Sequence, residues 1–166
     1  IPVTELKIQR KTVMVDDPLH QKGMELLAQK AKGKVLVGGL GLGLIVHQLA
    51  KNPAVQEINV VEINKDVIDL VKPHLPTEKV KIEHGNIYDK DPKSYDTVIL
   101  DLWTVGERTS PEERRRVGVE MLSSFAYFKA KNPEADVFVW GSRNPAINPA
   151  VKKVELCDVY KALLEE

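Results

Sequence analysis

The sequence predicts a Rossmann-like α/β fold: a three-layer αβα sandwich around a mainly parallel sheet. Short β-branched apolar runs recur along the chain, stretches with helix-cap signals separate them, and a glycine-rich turn follows the first core run. Lys11 to Val15 reads as a short strand. Asp16 or Asp17 then caps a helix with Pro18 in its first turn, expected to run to about Ala31. Lys34 to Gly38 (K-V-L-V-G) has the continuous apolar character of a strand buried on both faces. Leu44 to Lys51 is helical and stops at Asn52-Pro53; Glu57 to Glu62 is the second core strand. Asn64 caps a helix over Lys65 to Lys72, closed by Pro73. Val80 to Glu83 and Thr97 to Leu100 are the third and fourth core strands. Ser110-Pro111-Glu112-Glu113 starts a long helix that Asn132-Pro133 ends near Lys131. Asp136 to Trp140 is the fifth core strand, and the segment from Ala150 onward fits a helix better than a strand.

The 166 residues make one domain, with residues 1–33 leading into the core and no linker or repeat dividing it. Hydrophobic residues at 43% and charged residues at 29% are the balance of a globular chain. Lys+Arg and Asp+Glu are equal at 24 each, so nothing global attracts a polyanion, and nucleic acid is not an expected partner. Arg114, Arg115 and Arg116 are the only dense basic cluster. A single cysteine, Cys157, agrees with a reducing compartment, and the longest apolar run, Val35 to Val46, is split by four glycines, which argues against a membrane span. A cytoplasmic location is the expectation, although the sequence starts at Ile1 and leaves upstream residues open.

Strands separated by helices imply right-handed crossovers, and ligands of such sheets bind beyond the carboxyl ends of the strands. Three of those ends carry chemistry here: the glycines after Val37, Glu62, and Asp101. The turn reads Gly38-Gly39-Leu40-Gly41-Leu42-Gly43. Glycine suits a sharp strand-to-helix turn that a ligand approaches closely, and the next helix offers free N–H groups. The G-x-G-x-x-G spacing of dinucleotide sites is not met, because Leu44 or Val46 falls where the third glycine belongs. No Lys-Ser/Thr pair follows, which excludes a P-loop. What stands is G-x-G-x-G, from Gly39 through Gly41 to Gly43.

That arrangement resembles motif I of the class I S-adenosylmethionine-dependent methyltransferases, over roughly Lys34 to Trp140. It is most similar to their spermidine synthase-like (polyamine synthase) branch, in which the loop is followed by V-E-I-D; here that element is Val61-Glu62-Ile63-Asn64. The resemblance implies S-adenosylmethionine, or S-adenosylhomocysteine as product, on Gly39, Leu40, Gly41 and Gly43. It implies the ribose hydroxyls on Glu62, with Ile63 beside it. Asn86 and Ile87, after the third core strand, would meet the adenine. Asp101 would face the reacting end as the catalytic residue, and no metal is implied, since the fifth strand ends without an acid ligand. Each position also has a purely structural reading: a tight turn, a solvated strand end, an Asn in a turn, a loop-capping Asp.

Two departures bear on the reaction. The polyamine branch places an acid inside the glycine loop and a D-x-x-D pair after the fourth strand; this chain has Leu42, and Asp101-Leu102-Trp103-Thr104. After the fifth strand only Gly141 to Glu166 remain, so the expected core is truncated there, and a homo-oligomer or a partner surface is the expected source of any missing wall. The expectation is thus a methyltransferase with an unidentified small-molecule or protein acceptor. The alternatives are an aminopropyltransferase-like protein with altered or no activity, and a non-catalytic adenosyl-binding module. Trp103 and Trp140 flank the expected pocket, and Glu107 to Arg116 is a charged stretch that either covers it or simply starts a helix.

Overall fold

A computed structural model describes residues 3–104 and 109–151. The expected tail helix after Ala150 and the first two residues of the Glu107–Arg116 stretch therefore lie outside the described residues. The chain opens with an antiparallel hairpin, β1 (Glu5–Ile8) and β2 (Lys11–Val15), and continues through α1 (Pro18–Ala28) and β3 (Gly33–Gly38). Next come α2 (Leu44–Lys51), β4 (Val55–Glu62), α3 (Lys65–Val71) and β5 (Val80–His84). The last elements are β6 (Thr97–Leu100), α4 (Pro111–Lys131) and β7 (Asp136–Val139). The helix starts follow the caps. The side chain of Asp17 accepts from the His20 N–H, Asn64 from those of Asp66 and Val67, and Ser110 from that of Glu113. Helix α1 ends at Ala28, a turn before the expected Ala31. The Asn52 side-chain amide donates to the carbonyls of Ala28 and Ala31 at 2.8 and 3.0 Å, holding that end in place.

The core sheet is parallel, in the order β5-β4-β3-β6-β7. The chain runs outward from β3 to β4 and β5, then returns to the other side of β3 for β6 and β7. The order therefore reverses between β3 and β6, where no crossover covers the carboxyl ends of the strands. Val35, Val37, Ile58, Val60 and Ile99 pack under α1, α2 and α3, whereas Leu36, Val61, Val98, Leu100, Val137 and Val139 pack under α4. This is the predicted three-layer sandwich, and burial on both faces is why the central strands β3 and β6 read as unbroken apolar runs. At the amino ends, the Lys32 N–H donates to the Thr97 hydroxyl at 3.1 Å and the Lys34 N–H to the Asp96 carboxylate at 2.8 Å. These contacts lock the β3–β6 register that sets the cleft.

Strand β1 was not in the sequence expectation. The hairpin turns at Gln9 and Arg10, both with positive φ (50° and 65°), so it carries none of the Gly or Asn signal that normally marks such a turn. The hairpin buries Leu6 and Met14 against the core. On the opposite face, Phe128 of α4 is fully buried and marks the contact between helix and sheet. Phe128→Ala is expected to cost about 3–5 kcal/mol, read as a lower urea midpoint with an unchanged m-value.

Candidate functional site: a cleft at the carboxyl ends of β3, β4 and β6

Beyond the strands the ladder continues for one more residue on each side. The Gly39 N–H donates to the Val61 carbonyl at 2.9 Å and the Asp101 N–H to the Gly38 carbonyl at 2.8 Å. The glycine turn, Glu62 and Asp101 are thereby set side by side by backbone hydrogen bonds. The turn is left-handed at three points, with φ of 89° at Gly39, 51° at Gly41 and 76° at Gly43. A Cβ on Gly39 would stand 2.2 Å from the Asp101 carbonyl oxygen, and one on Gly41 would stand 2.4 Å from Met14 Sδ. Gly39 is thus required by the neighbouring backbone as well as by its own conformation, whereas at Gly41 the neighbour is the flexible end of Met14.

Glu62 is buried, and its two oxygens are both engaged. Oε2 accepts from the Leu40 N–H and Oε1 from the Asn64 N–H, each at 2.8 Å. The carboxylate ties the glycine turn to the start of α3. Each oxygen keeps a further lone pair, and the residue lines the cleft. Asp101 is half-buried and lines the cleft, with protein packed closely around it. Burial first, and the Glu62 charge second, push its pKa from 3.8 up to about 7.

The cleft has a volume of about 360 Å³, within the usual range for a small-molecule site. Gly41, Glu62 and Asp101 line it; Leu40 is buried beneath, and Gly43 is the N-cap just before α2. The other expected positions stand apart from this lining. Ile63 is exposed, Asn86 caps a short 3-10 turn by accepting from the Tyr88 N–H at 3.1 Å, and Ile87 is buried against Gly38. Trp103 and Trp140 both line the cleft. Trp103 is held by donating from Nε1 to Glu120 at 3.2 Å, and Trp140 packs on Gly23 of α1 and lies 5.5 Å from the His20 ring. Among the described residues, no cluster of three or more His, Cys, Asp or Glu could hold a metal ion, and no helix is long and apolar enough to cross a membrane.

Several lining residues carry no local sequence signal. Leu6, Ile8, Val13 and Met14 of the hairpin form one wall, and Met14 Sδ accepts from the Leu42 N–H at 3.1 Å. The Thr104 hydroxyl donates to the Val13 carbonyl at 3.4 Å, joining that wall to the loop after β6. Arg114 and Arg143 line the rim. The expected basic cluster is therefore divided, since Arg116 instead pairs with Glu120 and Glu113 on α4.

Residues 21–114 match the spermine/spermidine synthase domain. The chain belongs to this family. The match runs from α1 to the first turn of α4 and includes the glycine turn, Glu62 and Asp101. Polyamine aminopropyltransferase 2 of Hyperthermus butylicus is 30% identical over 88 residues, which cover 46% of this chain and 29% of that protein. The aligned part is thus under a third of that relative's length. Among solved structures, the spermidine synthase of Thermotoga maritima superposes with a TM-score of 0.48 at 18% identity, over 58% of this chain and 40% of that one. An RNA methyltransferase from Salinibacter ruber in complex with S-adenosyl-L-homocysteine gives 0.45 at 17% identity, over 64% and 68%.

The raised pKa of Asp101 has a consequence for stability. Its folded value of about 7 exceeds the unfolded one near 3.8, so between those pH values the folded protein holds a proton that the unfolded chain has lost. Stability then falls as pH rises through that window and levels off above it. Asp101→Asn removes this titration. The variant is expected to gain on the wild type across that range by up to roughly 1.4 kcal/mol per pH unit, measured by urea unfolding at each pH. Parallel profiles for the two proteins would count against a buried Asp101.

Proposed function

We propose that this protein is an S-adenosylmethionine-dependent methyltransferase whose acceptor binds in the cleft beside Asp101. The observation that carries the reading is the joining of Glu62 and Asp101 in one cleft at the point where strand order reverses, next to a turn in which Gly39 has no room for a side chain. The donor set fits an adenosyl ligand. A buried carboxylate accepts and cannot donate, which suits a vicinal diol, and Glu62 is already immobilised by two N–H groups. When bound, the cofactor supplies an activated methyl group on a sulfonium. Asp101 is the residue placed to orient an incoming nucleophile and take its proton. A pKa of about 7 suits that task, because proton transfer is most effective near the working pH. The apolar hairpin residues and the two tryptophans line the same cleft.

Aminopropyl transfer is the second reading, and family membership favours it. Leu42 and Thr104 speak against it, since they stand where that branch carries acids, and a polyamine would enter the cleft without those partners for its charges.

The products discriminate. Labelled S-adenosylmethionine incubated with protein and cell extract is expected to yield labelled acceptor and S-adenosylhomocysteine. Release of methylthioadenosine from the decarboxylated cofactor would establish the second reading instead. Tight binding with no transfer in any extract would reduce the protein to a binding module. Glu62→Ala is expected to weaken adenosyl binding about tenfold or more, through loss of charge-assisted hydrogen bonds. Asp101→Ala should leave that affinity nearly intact while removing turnover, and kcat should rise with pH through about 7 in the wild type. Calorimetry and product analysis read the two effects separately.

A further inference from the structure

Arg143 stands on the loop after β7, where the chain doubles back through Gly141 at a φ of 83°. The loop is built rather than loose. Ser142 and Asn148 are both buried, the Asn148 amide donates to the Ser142 carbonyl at 3.0 Å, and the Asn144 N–H donates to the Ser142 hydroxyl at 3.1 Å. Arg143 is thus flanked by fixed backbone while its side chain is exposed at the cleft rim, with no ion pair to any described acid. Arg114, in the first turn of α4, lines the same rim, its Nε donating to the Thr109 carbonyl at 3.0 Å. Both arginines also border a smaller cavity of about 160 Å³ beside α4, so they lie together on the partition between the two spaces.

The charges of the cleft are therefore separated. Its acids, Glu62 and Asp101, belong to the ends of β4 and β6, and its guanidinium groups belong to the rim formed by α4 and the loop after β7. A cationic group at that rim would meet the like charge of Arg143. A carboxylate would meet forked donors suited to bidentate pairing.

We propose that Arg143 forms a carboxylate subsite at the rim of the cleft. This rests on the adenosyl-binding reading above and extends it. The carboxylate has two sources: the amino-acid end of S-adenosylmethionine, which the decarboxylated cofactor lacks, or an anionic acceptor. In the first case the rim selects the methyl donor over the aminopropyl donor. In the second it selects the acceptor.

Calorimetry separates the sources. S-adenosylmethionine and its decarboxylated form are titrated into wild type, Arg143→Gln and Arg143→Lys; glutarate is titrated into protein saturated with S-adenosylhomocysteine, or into free protein if that ligand does not bind. If the carboxylate is the cofactor's, wild type prefers S-adenosylmethionine by about tenfold or more. Arg143→Gln then abolishes the preference and Arg143→Lys keeps part of it. If it is the acceptor's, the two cofactors bind alike and glutarate binds in a manner lost in Arg143→Gln. Equal cofactor affinities with no Arg143-dependent glutarate binding overturn the subsite. Absence of heat with either adenosyl ligand overturns the functional reading instead, and glutarate alone then decides the subsite. Because Arg143 is exposed, both variants are expected to fold, and an unchanged urea midpoint checks that they do.

Discussion

The carboxylate of Glu62 organises the whole carboxyl edge of the sheet. It sits at the end of β4, yet it accepts from the Leu40 N–H inside the glycine turn and from the Asn64 N–H at the start of α3. A turn with three left-handed glycines has a large conformational entropy to lose. A buried, charge-assisted hydrogen bond from an adjacent strand offsets part of that loss. The same charge reaches Asp101 and helps to hold its carboxyl protonated. One residue thus fixes the turn, anchors the start of a helix and adds to the rise in proton affinity that burial gives its neighbour across the cleft.

Sheet topology makes this possible. Because β3 pairs with β4 on one side and β6 on the other, three strand ends meet with no crossing segment above them. The backbone bonds Gly39 to Val61 and Asp101 to Gly38 carry the register past the strands into the cleft. The position of Asp101 is therefore a property of the ladder, and its buried environment follows from the walls packed around it.

Most of the framework was legible in the sequence for a physical reason. Strands buried on both faces must be continuous apolar runs, and helix ends need caps, so Val35–Val37, Val98–Leu100, Asn64 and Ser110 announce themselves locally. Strand β1 does not. Its four residues alternate too briefly to stand out, and its turn at Gln9 and Arg10 lacks turn chemistry. The cleft divides in the same way. Glu62 and Asp101 lie at strand ends, where pattern alone places chemistry, but Met14, Arg114 and Arg143 reach the cleft only through long-range packing. No spacing in the chain brings residues so far apart together.

The floor and the rim of the cleft differ in what holds them. On the floor, Gly39 touches the Asp101 carbonyl, Gly41 touches Met14, and Glu62 is bonded on both oxygens, so each residue is constrained by the fold itself. At the rim, Arg143 is exposed and contributes little to the core. A substitution on the floor disturbs turn, register and stability together. One at the rim changes the charge presented to a ligand and leaves the sheet intact.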